Sequence, residues 1–107
     1  MVQIPENHWL KKLKDKLQAI DPSIELILYG SRARGTASEN SDWDLLLLTE
    51  REKLSFQEQM KIRRPLTLME LELAQVLSLQ IFNEKEWHSK FQITPFYENV
   101  QKDGIPI

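Results

Sequence analysis

The sequence predicts one α/β (α+β) domain, a small mixed sheet of three to four strands with helices packed on it. Segments with helical spacing of apolar residues alternate along the chain with short apolar runs typical of strands. The chain has 107 residues, of which 41% are hydrophobic, and this is enough for one small core. We therefore expect a single domain over residues 1–107, with little chain left to build a large pocket of its own.

The first half of the chain is predicted to contain one helix and two strands. Asn7 is suited to cap a helix that Asp21-Pro22 ends, because proline disfavours helix in the residue before it. Residues 24–29 then form a short buried strand that stops at Gly30, and residues 42–49 form a second strand after a polar segment. One stripe of the helix is apolar: Trp9, Leu10, Leu13, Leu17 and Ile20.

The second half is predicted to contain a third strand between helices. Ser55 and Glu58 form a capping box, which begins a helix over residues 55–63. Pro65 is suited to the first turn of another helix over residues 66–74. A strand over residues 76–82 follows, then a helical turn capped by Asn83, and a last helix over residues 94–104.

Composition argues against several classes of protein. Fourteen Lys and Arg against sixteen Asp and Glu give a net charge of −2, so a long stretch of nucleic acid is not expected as the main partner. No cysteine is present, which excludes disulfides, thiolate zinc sites and cysteine nucleophiles. The longest apolar run, residues 45–48, is far too short for a membrane span, and the first ten residues lack a signal sequence. We expect a soluble cytoplasmic protein without a membrane partner.

A local basic patch is the exception to the acidic balance. It consists of Lys61, Arg63 and Arg64. We interpret it as a solvated helix end, and contact with nucleic acid is the alternative.

A glycine–serine pair follows the first strand directly. Gly30 allows a sharp turn and close approach of a ligand, because it has no Cβ. A helix beginning near Ser31 would direct free N–H groups and its positive dipole end at a phosphate, and the Ser31 hydroxyl would add a donor. On its own, such a pair is more often only a turn and a helix cap.

Two aspartates, Asp42 and Asp44, stand at the beginning of the second strand, and ten residues separate Ser31 from the first of them. Side chains alternate along a strand, so Asp42 and Asp44 point to one face and Trp43 to the other. Adjacent carboxylates repel unless a cation lies between them, and Mg²⁺ prefers such oxygens together with substrate phosphates. The alternative is a solvated aspartate pair. In combination with Gly30 and Ser31, the pair predicts a phosphate site beside a metal site.

Gly30-Ser31 followed by Asp42-x-Asp44 resembles the signature of the polymerase β-like nucleotidyltransferases. The length is similar to the minimal nucleotidyltransferase (MNT) branch, and the likeness runs from about Leu26 to the C-terminus. It extends to softer segments, Ile62-Arg-Arg-Pro-Leu66 and Thr94-Pro-Phe-Tyr-Glu-Asn-Val100. The resemblance implies the polymerase β-like fold, binding of a nucleoside triphosphate such as ATP with two Mg²⁺ ions, and transfer of a nucleotidyl group to a hydroxyl.

The resemblance also implies roles for six residues. Gly30 and Ser31 would hold the triphosphate. Asp42 and Asp44 would bind the metal ions and serve as the catalytic carboxylates. Nucleotide binding would extend to two arginines that neutralise phosphate charge, with solvated surface cations as the alternative: Arg32 and Arg34.

The sequence departs from the family pattern at the third carboxylate, which the family usually places on the following strand. The polar positions of that strand are Ser78 and Gln80, and neither is acidic. Glu70 and Glu72 fit the preceding helix, although Glu72 stays open as a third acid. Two interpretations follow: a weak enzyme that uses Asp42, Asp44 and water, or a domain that binds nucleotide without turnover.

The MNT resemblance also implies a partner. Minimal members resemble antitoxins that modify, or bind, a HEPN-domain toxin encoded beside them. Because 107 residues leave little room for an acceptor pocket, the acceptor surface is expected on another chain. We predict a HEPN-like helical partner, and either a homo-oligomer or a hetero-oligomer agrees with the sequence. The alternative to an enzyme is a binding module that neutralises the partner sterically.

Overall fold

A mixed four-stranded sheet forms the centre of the structure, a computed structural model that describes residues 8–107. Its strands are β1 (Glu25–Tyr29), β2 (Trp43–Thr49), β3 (Leu77–Asn83) and β4 (Ile105–Pro106), in the order β3-β2-β1-β4. Strand β1 is antiparallel to both β2 and β4, whereas β2 and β3 are parallel. The mixed sheet with packed helices confirms the predicted fold class.

Five helices accompany the sheet within residues 8–107. They are α1 (His8–Ile20), α2 (Gly30–Arg34), α3 (Phe56–Leu73), α4 (Glu84–Ser89) and α5 (Pro95–Asp103). The predicted cap Asn7 lies outside the described residues. Asn83 caps α4 through its side chain, as predicted. Helix α5 begins after Thr94, as predicted, and the Thr94 side chain caps it. Over this described part of the chain, no helix has both the length and the hydrophobicity to cross a bilayer.

The structure corrects the prediction of two helices between residues 55 and 74. Helix α3 is continuous, begins with the predicted capping box and contains Pro65 in its interior. Proline removes one backbone hydrogen bond, which ordinarily breaks a helix. Here the buried stripe continues on both sides of Pro65, through Ile62, Leu66 and Met69. Packing of this stripe on the core outweighs the loss of the hydrogen bond.

The sheet separates two hydrophobic clusters. One lies under α1 and α3 and includes Trp43, Leu45 and Leu47 of β2. The other lies under α4 and α5 and includes Leu46 and Leu48. Because side chains alternate along β2, Asp44 lies at the beginning of the second face.

A buried carboxylate joins the end of α1 to the end of β2. Asp21 is 8% exposed and accepts hydrogen bonds from the Thr49 hydroxyl (2.6 Å), the Ser23 hydroxyl (2.8 Å) and the Ser23 N–H (3.0 Å). Burial by itself raises the pKa of Asp21, but these bonds and the charge of Arg51 outweigh burial. The pKa of Asp21 is therefore lowered in the folded chain.

We expect Asp21→Asn to lower the free energy of unfolding at pH 7 by about 1–3 kcal/mol, because a charged acceptor of several hydrogen bonds is lost. A lowered carboxyl pKa stabilises the fold above the unfolded pKa of about 3.9, and this contribution is lost as the pH falls through the folded value. The wild type and the variant should therefore converge between pH 7 and acidic pH in urea unfolding. Exposed Asp15 on α1 provides the control Asp15→Asn. A difference that does not change with pH would contradict this account.

Candidate functional site

The candidate site lies where β1 ends and β2 begins. Tyr29 pairs with Asp44 across the antiparallel strands, so Gly30 follows β1 directly beside the beginning of β2. Gly30 has a φ of +75°, a conformation that residues with a Cβ rarely adopt. A Cβ at Gly30 would collide with the Asp44 Oδ2 and lie 3.2 Å from its Cγ. The absence of a side chain therefore lets the turn contact this carboxylate.

Helix α2 continues directly from this turn. Its first residues are Gly30 and Ser31, which confirms the predicted helix start. The N–H groups in the first turn of a helix have no partner within the helix. The helix ends at Gly35, where the Gly35 and Thr36 N–H groups donate to the Ser31 carbonyl. The short helix thus begins in contact with Asp44 and turns back after five residues.

Asp42 and Asp44 flank a tryptophan that belongs to the other side of the sheet. Trp43 is 8% exposed and packs in the cluster under α1 and α3, where its ring lies 4.9 Å from that of Trp9. Asp42 is exposed, whereas Asp44 is half-buried. The predicted alternation of Asp44 and Trp43 is therefore present.

The two carboxylates act on each other electrostatically. Burial raises the pKa of Asp44, the negative charge of Asp42 raises it further, and Arg34 partly offsets both. Ionised Asp44 is thus costly in the folded chain without a ligand, and a divalent cation beside it would relieve that cost. The hard oxygens of the two carboxylates fit Mg²⁺, which usually keeps phosphate and water oxygens as further ligands.

Arg32 holds the segment that leads into Asp42. Its Nη2 donates to the carbonyl oxygens of Ser41 (3.0 Å) and Glu39 (3.3 Å). Its guanidinium carbon lies 4.5 Å from the centre of the Trp43 ring, in the geometry of a cation–π contact. The structure thus uses one end of the guanidinium to fix the backbone just before the aspartates.

Arg34 approaches the site from the end of α2. Its Nη1 lies 3.7 Å from the Asp103 Oδ2 of α5, and its side chain is 47% exposed. The same positive charge lowers the pKa of Asp44 relative to the value that burial and Asp42 would give. Of the two predicted arginines, Arg34 has the guanidinium more accessible to a ligand.

A serine occupies the β3 position beside Asp44. In the parallel register Asp44 pairs with Ser78 and Leu46 with Gln80, so Ser78 lies on the same face as Asp44. Glu70 accepts a hydrogen bond from the Leu77 N–H (3.0 Å), which joins the end of α3 to the start of β3. For residues 8–107, no three His, Cys, Asp or Glu side chains are grouped to hold a metal ion.

Two neighbours of the site were not predicted as site residues. The Tyr29 ring is half-buried against Phe96 (5.4 Å between centroids), and its pKa is raised by burial and by the charge of Asp44. Its position directly before Gly30 was the signal available in the sequence. Asp103 reaches the site only because α5 packs near α2, and no local pattern indicates that contact.

We expect Gly30→Ala to displace the Asp44 carboxylate. If the site binds a nucleoside triphosphate with Mg²⁺, as the sequence resemblance implies, the same change should weaken binding of a non-hydrolysable ATP analogue at least ~10-fold. The positive φ should also cost about 1–2 kcal/mol of stability. Gly35 provides a matched control, since its φ is +76° but nothing lies within 4 Å of a Cβ placed there. Gly35→Ala should lose similar stability and keep its affinity. Equal losses of affinity in the Gly30→Ala and Gly35→Ala variants, measured by titration calorimetry, would contradict the assignment of the Gly30–Asp44 contact to the binding site.

Comparison with known proteins places the chain among nucleotidyltransferases. Residues 10–102 match the family model of the nucleotidyltransferase domain. No curated protein matches the sequence.

The solved structures that share the fold include the following three. A chain of a toxin–antitoxin crystallised with AMP-PNP has 21% identity and a TM-score of 0.61, covering 92% of this chain and 69% of that one. A nucleotidyltransferase from Sulfolobus solfataricus has 20% identity and a TM-score of 0.59 over 92% and 76% of the two chains. A chain of a mutant toxin–antitoxin MntA-HpeT has 19% identity and a TM-score of 0.55 over 98% and 72%. At such identities the likeness establishes the fold.

Proposed function

The chain belongs to the nucleotidyltransferase domain family, and from this premise we propose that it transfers a nucleotidyl group from a nucleoside triphosphate, ATP in the first instance, to a hydroxyl of a partner protein. The observation that carries the proposal is the contact between Gly30 and Asp44, which joins a phosphate-binding turn to a carboxylate pair. We place the activity in the cytoplasm and in residues 1–107 as one domain.

Each site residue has a role in this proposal. The turn at Gly30 and Ser31 holds the triphosphate through backbone N–H groups and the serine hydroxyl. Asp42 and Asp44 would hold Mg²⁺, and a bound ion would supply positive charge to neutralise the phosphates and the leaving pyrophosphate. Arg34 pairs with a phosphate oxygen. Arg32 acts as a positioning residue, because its Nη2 already binds two backbone carbonyls ahead of Asp42.

The transfer itself exchanges one phosphorus–oxygen bond for another. The acceptor hydroxyl oxygen forms a bond to the α-phosphorus, the bond from that phosphorus to the bridging oxygen breaks, and pyrophosphate leaves. The hydroxyl proton is released to water, because the β3 position beside Asp44 holds Ser78 and not a carboxylate that could accept the proton. Such a site lacks a third acid to act as base, so we expect slow turnover.

A protein acceptor agrees with the size of the domain. The elements described leave the aspartate pair at the surface, with Asp42 exposed and no second domain in residues 8–107 to form an acceptor pocket. Two of the similar structures are toxin–antitoxin complexes, which supports an antitoxin role for this chain. We propose that the partner is a HEPN-like helical toxin encoded by the adjacent reading frame.

The second candidate function is a nucleotide-binding module that neutralises its partner without chemistry. The observation in its favour is Ser78, which stands beside Asp44 on β3 where a carboxylate would complete the metal site.

A labelling experiment separates the two functions. The purified chain is incubated with ATP labelled at the α-phosphate, Mg²⁺ and the purified product of the adjacent reading frame. We expect label and a mass increase of one adenylyl group on the partner. Neutralisation of the partner without label would favour the binding module. Absence of Mg²⁺-dependent ATP binding would exclude both functions.

A further inference from the structure

Helix α3 carries an apolar stripe on the side away from the core. We call this the α3 stripe and define it by Phe56, Met60, Leu68 and Leu71, which are 78%, 54%, 53% and 76% exposed. The helix packs on α1 and β3 through its opposite side, where the buried residues lie. From Phe56 to Leu71 the stripe extends about 22 Å along the helix axis.

An exposed surface of this kind requires an explanation. Single apolar side chains on a surface are common, but four large ones on one side of one helix form a patch typical of interaction sites. A groove of about 550 Å³ runs along the first half of the stripe, lined by Phe56, Met60, Thr67 and basic side chains. The groove lies between side chains of α3 itself, and spaces of this kind between rows of side chains receive side chains of another helix in helix packing.

The middle of the α3 stripe is positively charged. Lys61, Arg63 and Arg64 are exposed there, and none of the three forms an ion pair within residues 8–107. Two carboxylates of the same helix are committed elsewhere, Glu58 to Arg51 and Glu70 to the Leu77 N–H. The surface is thus apolar at both ends and cationic at its centre.

We propose that the α3 stripe docks an amphipathic helix of the partner protein, with carboxylates opposite the three basic residues. This inference rests on the proposed function, which identifies the partner protein as the acceptor of the nucleotidyl group. We favour this occupant over the others because carboxylates of the partner helix would complement the three basic residues. In a two-fold pair of copies the basic centres of two stripes would face each other, which is repulsive. An anionic membrane is disfavoured as the occupant because it would repel a chain whose net charge is −2.

The α3 stripe also leads toward the candidate site. Val76, just beyond α3, is 54% exposed, and its carbonyl accepts a hydrogen bond from the Trp43 N–H (3.0 Å). Trp43 stands between Asp42 and Asp44. The far end of the α3 stripe therefore lies at the same end of the sheet as the aspartates, although Asp44 belongs to the opposite face.

Two designed peptides test the docking surface. Both are 20-residue amphipathic helices with the same leucine face, one flanked by Glu and the other by Lys. Titrated into the full chain, the Glu peptide should bind at least ~10-fold more tightly, with NMR shift changes concentrated on α3. Arg63→Glu with Arg64→Glu should reverse the preference, and Met60→Glu with Leu71→Glu should remove binding. Lys11→Glu with Lys12→Glu, on the exposed side of α1, is the control. This variant should keep both the binding of the Glu peptide and the preference for it over the Lys peptide.

Several results would overturn the proposal: equal affinity for both peptides, shift changes centred elsewhere, a dimer that Leu71→Glu dissociates, or stripe-dependent binding to phosphatidylserine vesicles. All four stripe positions are exposed, so the variants should fold, and thermal melts check this. Mg²⁺-dependent ATP binding is measured on the same samples and should persist in Met60→Glu with Leu71→Glu. Its absence from the wild type would reject the nucleotide function and leave the peptide result to decide the docking surface.

Discussion

Replacing Asp42 and Asp44 together by Asn is expected to abolish Mg²⁺-dependent ATP binding and to reduce nucleotidyl transfer at least ~100-fold. The amides keep the size of the side chains but lose the negative charge that holds a divalent cation. Titration calorimetry with and without Mg²⁺ and the α-phosphate label measure the two losses. Glu72→Gln is the control, because Glu72 is exposed on α3 and is the remaining candidate from the sequence for a third acid.

Replacing Asp44 alone by Asn should weaken metal binding but stabilise the metal-free fold. Burial and the charge of Asp42 raise the pKa of Asp44, so the ionised form destabilises the folded chain. Asp44→Asn should therefore melt a few degrees higher than the wild type at pH 7 without metal. A raised folded pKa means that the wild type recovers stability as the pH falls through that value, so the difference should vanish below about pH 3.9. Undiminished ATP binding by the stabilised variant would refute the metal assignment.

Ser78→Asp is expected to increase nucleotidyl transfer by about 10-fold or more, since a third carboxylate would complete the oxygen donors around the metal. The parallel register places Ser78 beside Asp44 on the same face of the sheet, at the edge strand β3. Without Mg²⁺ the added charge should lower the melting temperature, and Mg²⁺ should restore it. The measurements are the initial rate of label transfer and the Mg²⁺ concentration for half-maximal rate.

Gln80→Asp provides the matched control for this gain. Gln80 lies on the same face one pair farther along β3, opposite Leu46, so a carboxylate there is displaced from Asp44 by two residues. Its transfer rate should remain at the level of the wild type. If Ser78→Asp instead weakens Mg²⁺ binding and transfer together, the β3 position is not part of the metal site.

Local chemistry explains why much of the fold could be predicted. The side chains of Ser55, Asn83 and Thr94 cap their helices by accepting from the N–H group three residues later, so the signal lies in the sequence itself. The prediction of a helix break at Pro65 was wrong for a related reason. The proline rule is local, whereas α3 is held together across Pro65 by packing on the core.

The candidate site was predictable in its parts but not in its assembly. Gly30 and Asp44 were each indicated by residue type and spacing, yet their contact depends on the β1–β2 register. The commitment of Arg32 to backbone carbonyls depends on the path of the 36–41 loop. Arg34 meets Asp103 only through packing of distant helices, which no spacing rule encodes.

The position of β4 has a consequence for biosynthesis. Residues 105–107 complete the outer edge of β1, with Ile105 paired to Leu28 and the Ile107 N–H bound to the Leu26 carbonyl (2.9 Å). These residues leave the ribosome after every other described residue, so a nascent chain carries an unpaired strand edge until they emerge. Open edges invite pairing with other chains. Translational arrest or proteolytic clipping ahead of residue 105 would therefore yield an aggregation-prone product with its phosphate-binding turn on an incomplete sheet.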